Sequence, residues 1–103
     1  MDEQMPKNNM RPVHPGEVLR REFLEQLGIS VNALANALHV PATRLHEIVK
    51  CRRAITADTA LRLARYFGGD PQSWMNLQVS YELRKAARES GKAIERQVAP
   101  RAA

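Results

Sequence analysis

The sequence holds a single cysteine, Cys51, in 103 residues, so no internal disulfide can form and redox chemistry is not expected. Aromatic residues make up only 5% of the chain, which leaves the core to Leu, Ile, Val and Ala. No apolar run approaches the roughly 20 residues needed to span a bilayer, and the N-terminus lacks the apolar stretch of a secretory signal. A cytoplasmic protein with no membrane partner is expected. No glycine-rich phosphate loop, Ser/His/Asp arrangement or pair of carboxylates stands out. His14, His39 and His46 do not form a spaced ligand set with Cys51. These absences argue against an enzyme, a metal centre or a cofactor, and so short a chain has little room for a sheltered cleft.

What the chain carries instead is positive charge, with a formal net charge of +5 and a pI near 10.0. Such a field attracts nucleic acid, acidic protein or anionic membrane without choosing among them. Hydrophobic residues at 44% and charged residues at 26% suit one compact domain. Residues 1–13 are polar, contain two prolines and read as a flexible lead-in. Residues 14–90 read as the folded domain, including a dimerisation helix, and 91–103 as a C-terminal tail.

Five helices are predicted. The first runs over 15–27, opened by Pro15 and closed by Gly28, with Leu19, Phe23 and Leu27 recurring every fourth residue and Leu24 beside them. Ser30 caps a second, whose Val31, Leu34, Ala35 and Leu38 form a buried stripe. Pro41 interrupts the pattern and begins a third helix with Leu45, Ile48 and Val49 on its apolar side. Thr56 caps a fourth, with Ala57, Ala60, Leu61, Ala64 and Phe67 on one face. The fifth starts after Asp70 at Pro71, aligns Trp74, Leu77 and Tyr81, and is expected to stop at Ser90 before Gly91.

Two short helices joined by a tight turn, the second ending in basic residues, form the pattern of a helix-turn-helix, although ordinary helical bundles also contain such pairs. With Leu45, Ile48 and Val49 inward, Thr43, Glu47 and Lys50 point most directly outward, Arg44 and His46 lie on the flanks, and Ala42 sits near the helix start. These residues are the candidates for the major groove. Arg44 suits a bidentate contact with guanine, Glu47 the cytosine amino group, and Thr43 a thymine methyl or a phosphate. An ion pair of Glu47 with Lys50 or Arg44 is the alternative. Arg52 and Arg53, just beyond the helix, suit phosphate binding. Arg62 and Arg65 read as a solvated face.

A single recognition helix makes few contacts, so a two-fold dimer spanning half-sites roughly 34–36 Å apart is expected. Trp74, Leu77, Tyr81 and Leu83 are the candidate dimer contacts, with Ile94 and Val98 beyond them. For Trp74 and Tyr81 a place in the core is the preferred reading, and burial within one protomer is the alternative for Leu83, Ile94 and Val98 as well.

Three stretches in order, Arg11-Pro12-Val13-His14-Pro15-Gly16-Glu17, Arg52-Arg53-Ala54-Ile55-Thr56-Ala57-Asp58-Thr59-Ala60-Leu61-Arg62-Leu63-Ala64 and Trp74-Met75-Asn76-Leu77-Gln78, carry a resemblance. Over about 10–90 the chain resembles HigA-type antitoxins of bacterial toxin–antitoxin modules, within the Cro/repressor-like, XRE-type helix-turn-helix group. The resemblance implies an all-α, five-helix Cro/repressor-like bundle. It also implies a homodimer that binds a cognate HigB/RelE-like toxin, masks its mRNA cleavage and represses its own operon at a palindromic operator. In this group the position of Cys51 is often glycine, at a left-handed turn on which the direction of Arg52 and Arg53 depends. A stand-alone repressor without a toxin, and a pure protein-interaction module, remain the other readings.

Overall fold

Pro15 needs no amide partner in a first helical turn, and His14 supplies the cap, its Nδ1 accepting the Gly16 N–H at 2.8 Å. From this point the computed structural model, which describes residues 11–102, places five helices in sequence. These are α1 over 15–27, α2 at Val31–Leu38, α3 at Ala42–Val49, α4 at Ala57–Phe67 and α5 at Pro71–Gln97. No strand occurs among the described residues, and the all-α, five-helix class expected from periodicity holds.

Helix α1 departs from the four-residue spacing read in the sequence. It is α-helical at Pro15–Val18, widens into a π-helical segment at Leu19–Leu24, and returns to α at Glu25–Leu27. The Glu25 N–H reaches back five residues to the Arg20 carbonyl. A five-residue step brings Leu19 and Leu24 onto one buried face, and it turns Leu27 outward to 58% exposure.

Three helix ends share one device, in which a left-handed residue lets the chain fold back on the last turn. Gly28, His39 and Cys51 hold φ of 67°, 60° and 63°. The following amides return to carbonyls of the last turn: Ile29 to Leu24 at 3.0 Å, Val40 to Ala35 at 3.1 Å and Arg52 to Glu47 at 2.9 Å. The side chains of His39 and Cys51 make their turns about 1 kcal/mol costlier than glycine. The six backbone groups involved are satisfied regardless. Pro41 sits one position earlier than expected, capping α3 in extended conformation instead of opening it.

The core gathers Leu19, Leu34, Leu45, Ile48, Ile55 and Leu63, each at most 1% exposed, from all of the first four helices and the segment before α4. The expected face of α4 is corrected by rotation. Thr59, Ala60, Leu63 and Ala64 are the buried set, and Leu61 stands 60% exposed on the flank. Helix α5 also runs past its expected end, through Gly91 to Gln97. One helical glycine costs only about 1 kcal/mol, whereas Pro100 disfavours a helical Ala99 and Val98 is already extended. Within α5 only Trp74 and Gln78 are buried, so its C-terminal half projects and gives extents of 53 × 23 × 22 Å.

The part of the expected lead-in at 1–10 lies outside the described residues. Arg11 is held against α1 by a bidentate pair with Glu17, at 3.1 and 2.9 Å, and Arg21 reaches the same carboxylate at 2.9 Å. The Arg11 hydrogen bonds, joined by those of Arg21, hold the Glu17 carboxyl at about 2 instead of 4.5. Burial pushes His14 below 6.5, against the Arg53 backbone and Glu82, which favour its charged form. Both folded values lie under the unfolded ones, so the native state binds fewer protons and stability rises with pH. The His14 contribution is present above pH 6.5 and is lost as the pH falls through its lower folded value. The Glu17 contribution is lost between 4.5 and about 2. Urea midpoints measured across the acid range are expected to fall in these two stages, and Glu17→Gln should remove only the lower one.

Candidate nucleic-acid interface

Helices α2 and α3 cross through the His39 turn, with Leu34, Leu38, Leu45 and Ile48 locking them to the core. The outward side of α3 is thereby fixed. Thr43 and Lys50 are exposed on it, and Ala42 at its start is half-buried against the core.

Of the remaining candidates, Arg44, His46, Glu47 and Arg52 are each held by a side-chain partner. His46 Nε2 meets Asn32 Oδ1 of α2 at 3.0 Å, tying α3 to the first turn of its neighbour. Arg44 donates to Asp58 of α4 at 2.9 Å. Asp58 also accepts from Arg62 Nε at 2.9 Å, and a second Arg62 nitrogen donates to the Leu38 carbonyl at 2.9 Å. This relay joins three helices and caps the end of α2. Arg62, read from sequence as a solvated face, is thus a structural bridge. The hydrogen bonds of Arg62 and then Arg44 hold Asp58 below the usual carboxylate range.

Glu47 pairs with neither expected cation. Its carboxylate meets Arg52 Nε at 3.2 Å, because the left-handed Cys51 swings Arg52 back over the helix end. That hydrogen bond is the main cause that lowers the Glu47 carboxyl, with Lys50 and Arg53 adding smaller attraction. The acidic group on the outward face is therefore neutralised locally. Among the described residues, Lys50 and Arg53 make no side-chain hydrogen bond and remain exposed. Arg44, Arg53, Thr56 and Asp58 line a shallow concavity of about 240 Å³ where α3 passes the start of α4. Anions are favoured at such a helix start.

Sequence reasoning missed Asn32 and Asp58. Each lies in the first turn of a helix and reaches a partner fourteen residues away, a separation that no local periodicity reveals.

The expected dimer residues divide. Trp74 is buried at 6% exposure, its ring 5.2 Å from that of Phe23, which places it in the core of the protomer. Leu77 is half-buried against the same core, and Tyr81 packs edge-on to His14 at 4.8 Å. Leu83 alone of the four is open, at 67% exposure. Among the described residues no helix is long and apolar enough to cross a membrane.

Comparison with known proteins agrees with this geometry. The family model described as helix-turn-helix matches residues 21–74, which spans α2, α3 and α4. Virulence-associated protein I of Dichelobacter nodosus is 58% identical, covering 81% of this chain and 77% of that protein. Antitoxin HigA-1 of Vibrio cholerae is 38% identical over 77% of this chain and 74% of its own length. Among solved structures, the Pseudomonas aeruginosa antitoxin HigA with higBA promoter superposes with a TM-score of 0.85 at 51% identity, covering 87% of this chain and 98% of that one.

Proposed function

The chain belongs to the HigA-type antitoxins of the helix-turn-helix family, and on that premise we propose that it is an antitoxin and autorepressor. A homodimer grips a palindromic operator with α3 of each protomer and neutralises a RelE-like, mRNA-cleaving toxin in the cytoplasm. The observation that carries the DNA half is the outward side of α3, where Thr43, Arg44 and Lys50 are presented and the one carboxylate, Glu47, is already neutralised by Arg52. Lys50, Arg52 and Arg53 suit phosphates, Arg44 and Thr43 suit base edges, and Ala42 and His46 contribute shape at the helix start and flank. To reach guanine, Arg44 exchanges its bond with Asp58. The work needs no cofactor and no catalytic step. The toxin half rests on likeness to named antitoxins.

The test is a pull-down of the tagged protein from its native host, with the eluate analysed for protein and promoter DNA. A small basic protein in stoichiometric amount, together with operator DNA, is expected. Operator DNA alone would leave a stand-alone repressor. Replacing Thr43 and Arg44 together by alanine should weaken operator binding about a hundredfold or more, since each bidentate base contact is worth about 1–3 kcal/mol and occurs in both half-sites. Unchanged binding would point to a protein-interaction module instead.

A further inference from the structure

Arg44 rests beside the recognition face instead of on it. Thr43 and Lys50 are exposed on the outward side of α3. The Arg44 side chain is 31% exposed and lines the concavity of about 240 Å³ where α3 passes the start of α4. Its Nη1 donates to Asp58 Oδ2 at 2.9 Å. Arg62 Nε donates to the same oxygen, also at 2.9 Å. One carboxylate oxygen therefore serves two guanidinium groups, one from α3 and one from α4.

The two arginines are not equally free to leave. Arg62 has a second hold, its Nη1 donating to the Leu38 carbonyl at 2.9 Å, at the end of α2 where the helix dipole also favours a cation. It follows Asp58 by four residues on α4, so the helix itself keeps that pair together. Arg44 comes from another helix and meets Asp58 through a single hydrogen bond. Asp58 is 55% exposed, and a pair so open to water holds weakly. A guanine edge offers two acceptors to the same guanidinium. When Arg44 swings out to it, Arg62 remains and Asp58 stays neutralised.

We infer that Arg62 is a positioning residue for operator binding, which frees Arg44 for the major groove by keeping hold of Asp58. This rests on the operator reading above. Without Arg62, Arg44 is the one cation among the described residues that pairs with Asp58. Its departure would then leave a bare carboxylate beside a phosphate strand, so Arg44 is retained and the base contact is lost. Arg62 itself need not touch DNA. Removing the Asp58 charge as well takes away what retains Arg44, so the two substitutions are coupled and not additive.

The experiment titrates operator and scrambled duplexes by fluorescence anisotropy with full-length Arg62→Met, Asp58→Asn and the double variant, each with Arg44 present and in an Arg44→Ala background. Arg62→Met is expected to bind operator about tenfold more weakly, as for a lost base contact, and Asp58→Asn at least as tightly as wild type. The double variant should return to within about twofold of Asp58→Asn. In the Arg44→Ala background all three should stay within about twofold of Arg44→Ala itself. A loss from Arg62→Met that survives there, or that Asp58→Asn does not relieve, marks a merely structural or charge effect and overturns the inference. Weaker operator binding by Asp58→Asn also overturns it, and that result stands even where Arg62→Met fails to fold. If the wild-type protein itself does not prefer operator to scrambled duplex, the operator reading fails. The hold on Arg44 is then decided without DNA, from the rotation rate of its guanidinium by nuclear magnetic resonance. Slower rotation in Arg62→Met and faster rotation in Asp58→Asn support it, and unchanged rates overturn it.

Discussion

Replacing Gly16 by alanine is expected to lower the unfolding free energy by about 3 kcal/mol or more, near the upper end of overpacking costs. The added methyl would lie 1.7 Å from the Ile48 carbonyl oxygen, 2.7 Å from its carbon and 3.0 Å from His14 Nδ1. The first two atoms are backbone at the end of α3, and the third is the cap of α1, so no side-chain rotation relieves the clash. Helix α1 must instead back away from α3, opening the core beneath Leu19 and Ile48. For a domain of this size the loss corresponds to a melting temperature lower by about 12 °C or more. Gly91→Ala is the control, because its Cβ meets nothing closer than Ala87 Cβ at 4.0 Å. There the usual gain of about 0.5–1 kcal/mol for alanine in a helix should appear. Thermal and urea unfolding of the two variants should therefore move in opposite directions, and a Gly16→Ala protein as stable as wild type would contradict the close seat of α1 on α3.

The same pair of glycines illustrates what the sequence discloses. Caps and breaks were readable because they act locally: Ser30, Thr56 and Asp70 accept from amides two or three residues ahead, and Gly28 ends α1. The inward faces of α2 and α3 were readable because both are short, regular and apolar on one side. Leu27 and Leu61 were misplaced for different reasons. A π-helical step shifts the phase of α1, and the expected stripe of α4 omitted Leu63, which is fully buried. The outward residues of α3 were legible, yet their partners were not. Asp58 and Asn32 are brought to Arg44 and His46 only by the crossing of helices. Cys51 is the intermediate case. The left-handed turn expected at its position is present at φ 63°, and the pairing of Arg52 with Glu47 that follows from it was not foreseen.

The second large effect concerns α5. Replacing Leu83 by glutamate is expected to dissociate the proposed homodimer and to weaken operator binding by about a thousandfold or more, with the protomer still folded. Val79, Leu83 and Ile94 are 49%, 67% and 51% exposed, and at 100° per residue they fall within about 60° of one another on the helix. Val79 and Leu83 lie in the first half of α5 on the side turned away from the core and Ile94 continues the stripe on the projecting half, whereas Trp74 serves the core and is not available to a partner. Across a two-fold axis each residue counts twice. Burying one leucine contributes about 1.5–3 kcal/mol, so Leu83→Glu removes about twice that and sets two carboxylates in an apolar contact. A lone protomer then meets one half-site with half of the base and phosphate contacts, which accounts for the fall in affinity. Sedimentation and operator titration separate the steps. Monomeric Leu83→Glu with weak binding is the expected result, and Thr43→Ala/Arg44→Ala should stay dimeric while losing the operator. A dimeric Leu83→Glu protein would place the contact elsewhere. A monomer with full operator affinity would show that one recognition helix suffices, against the small number of contacts that α3 can present.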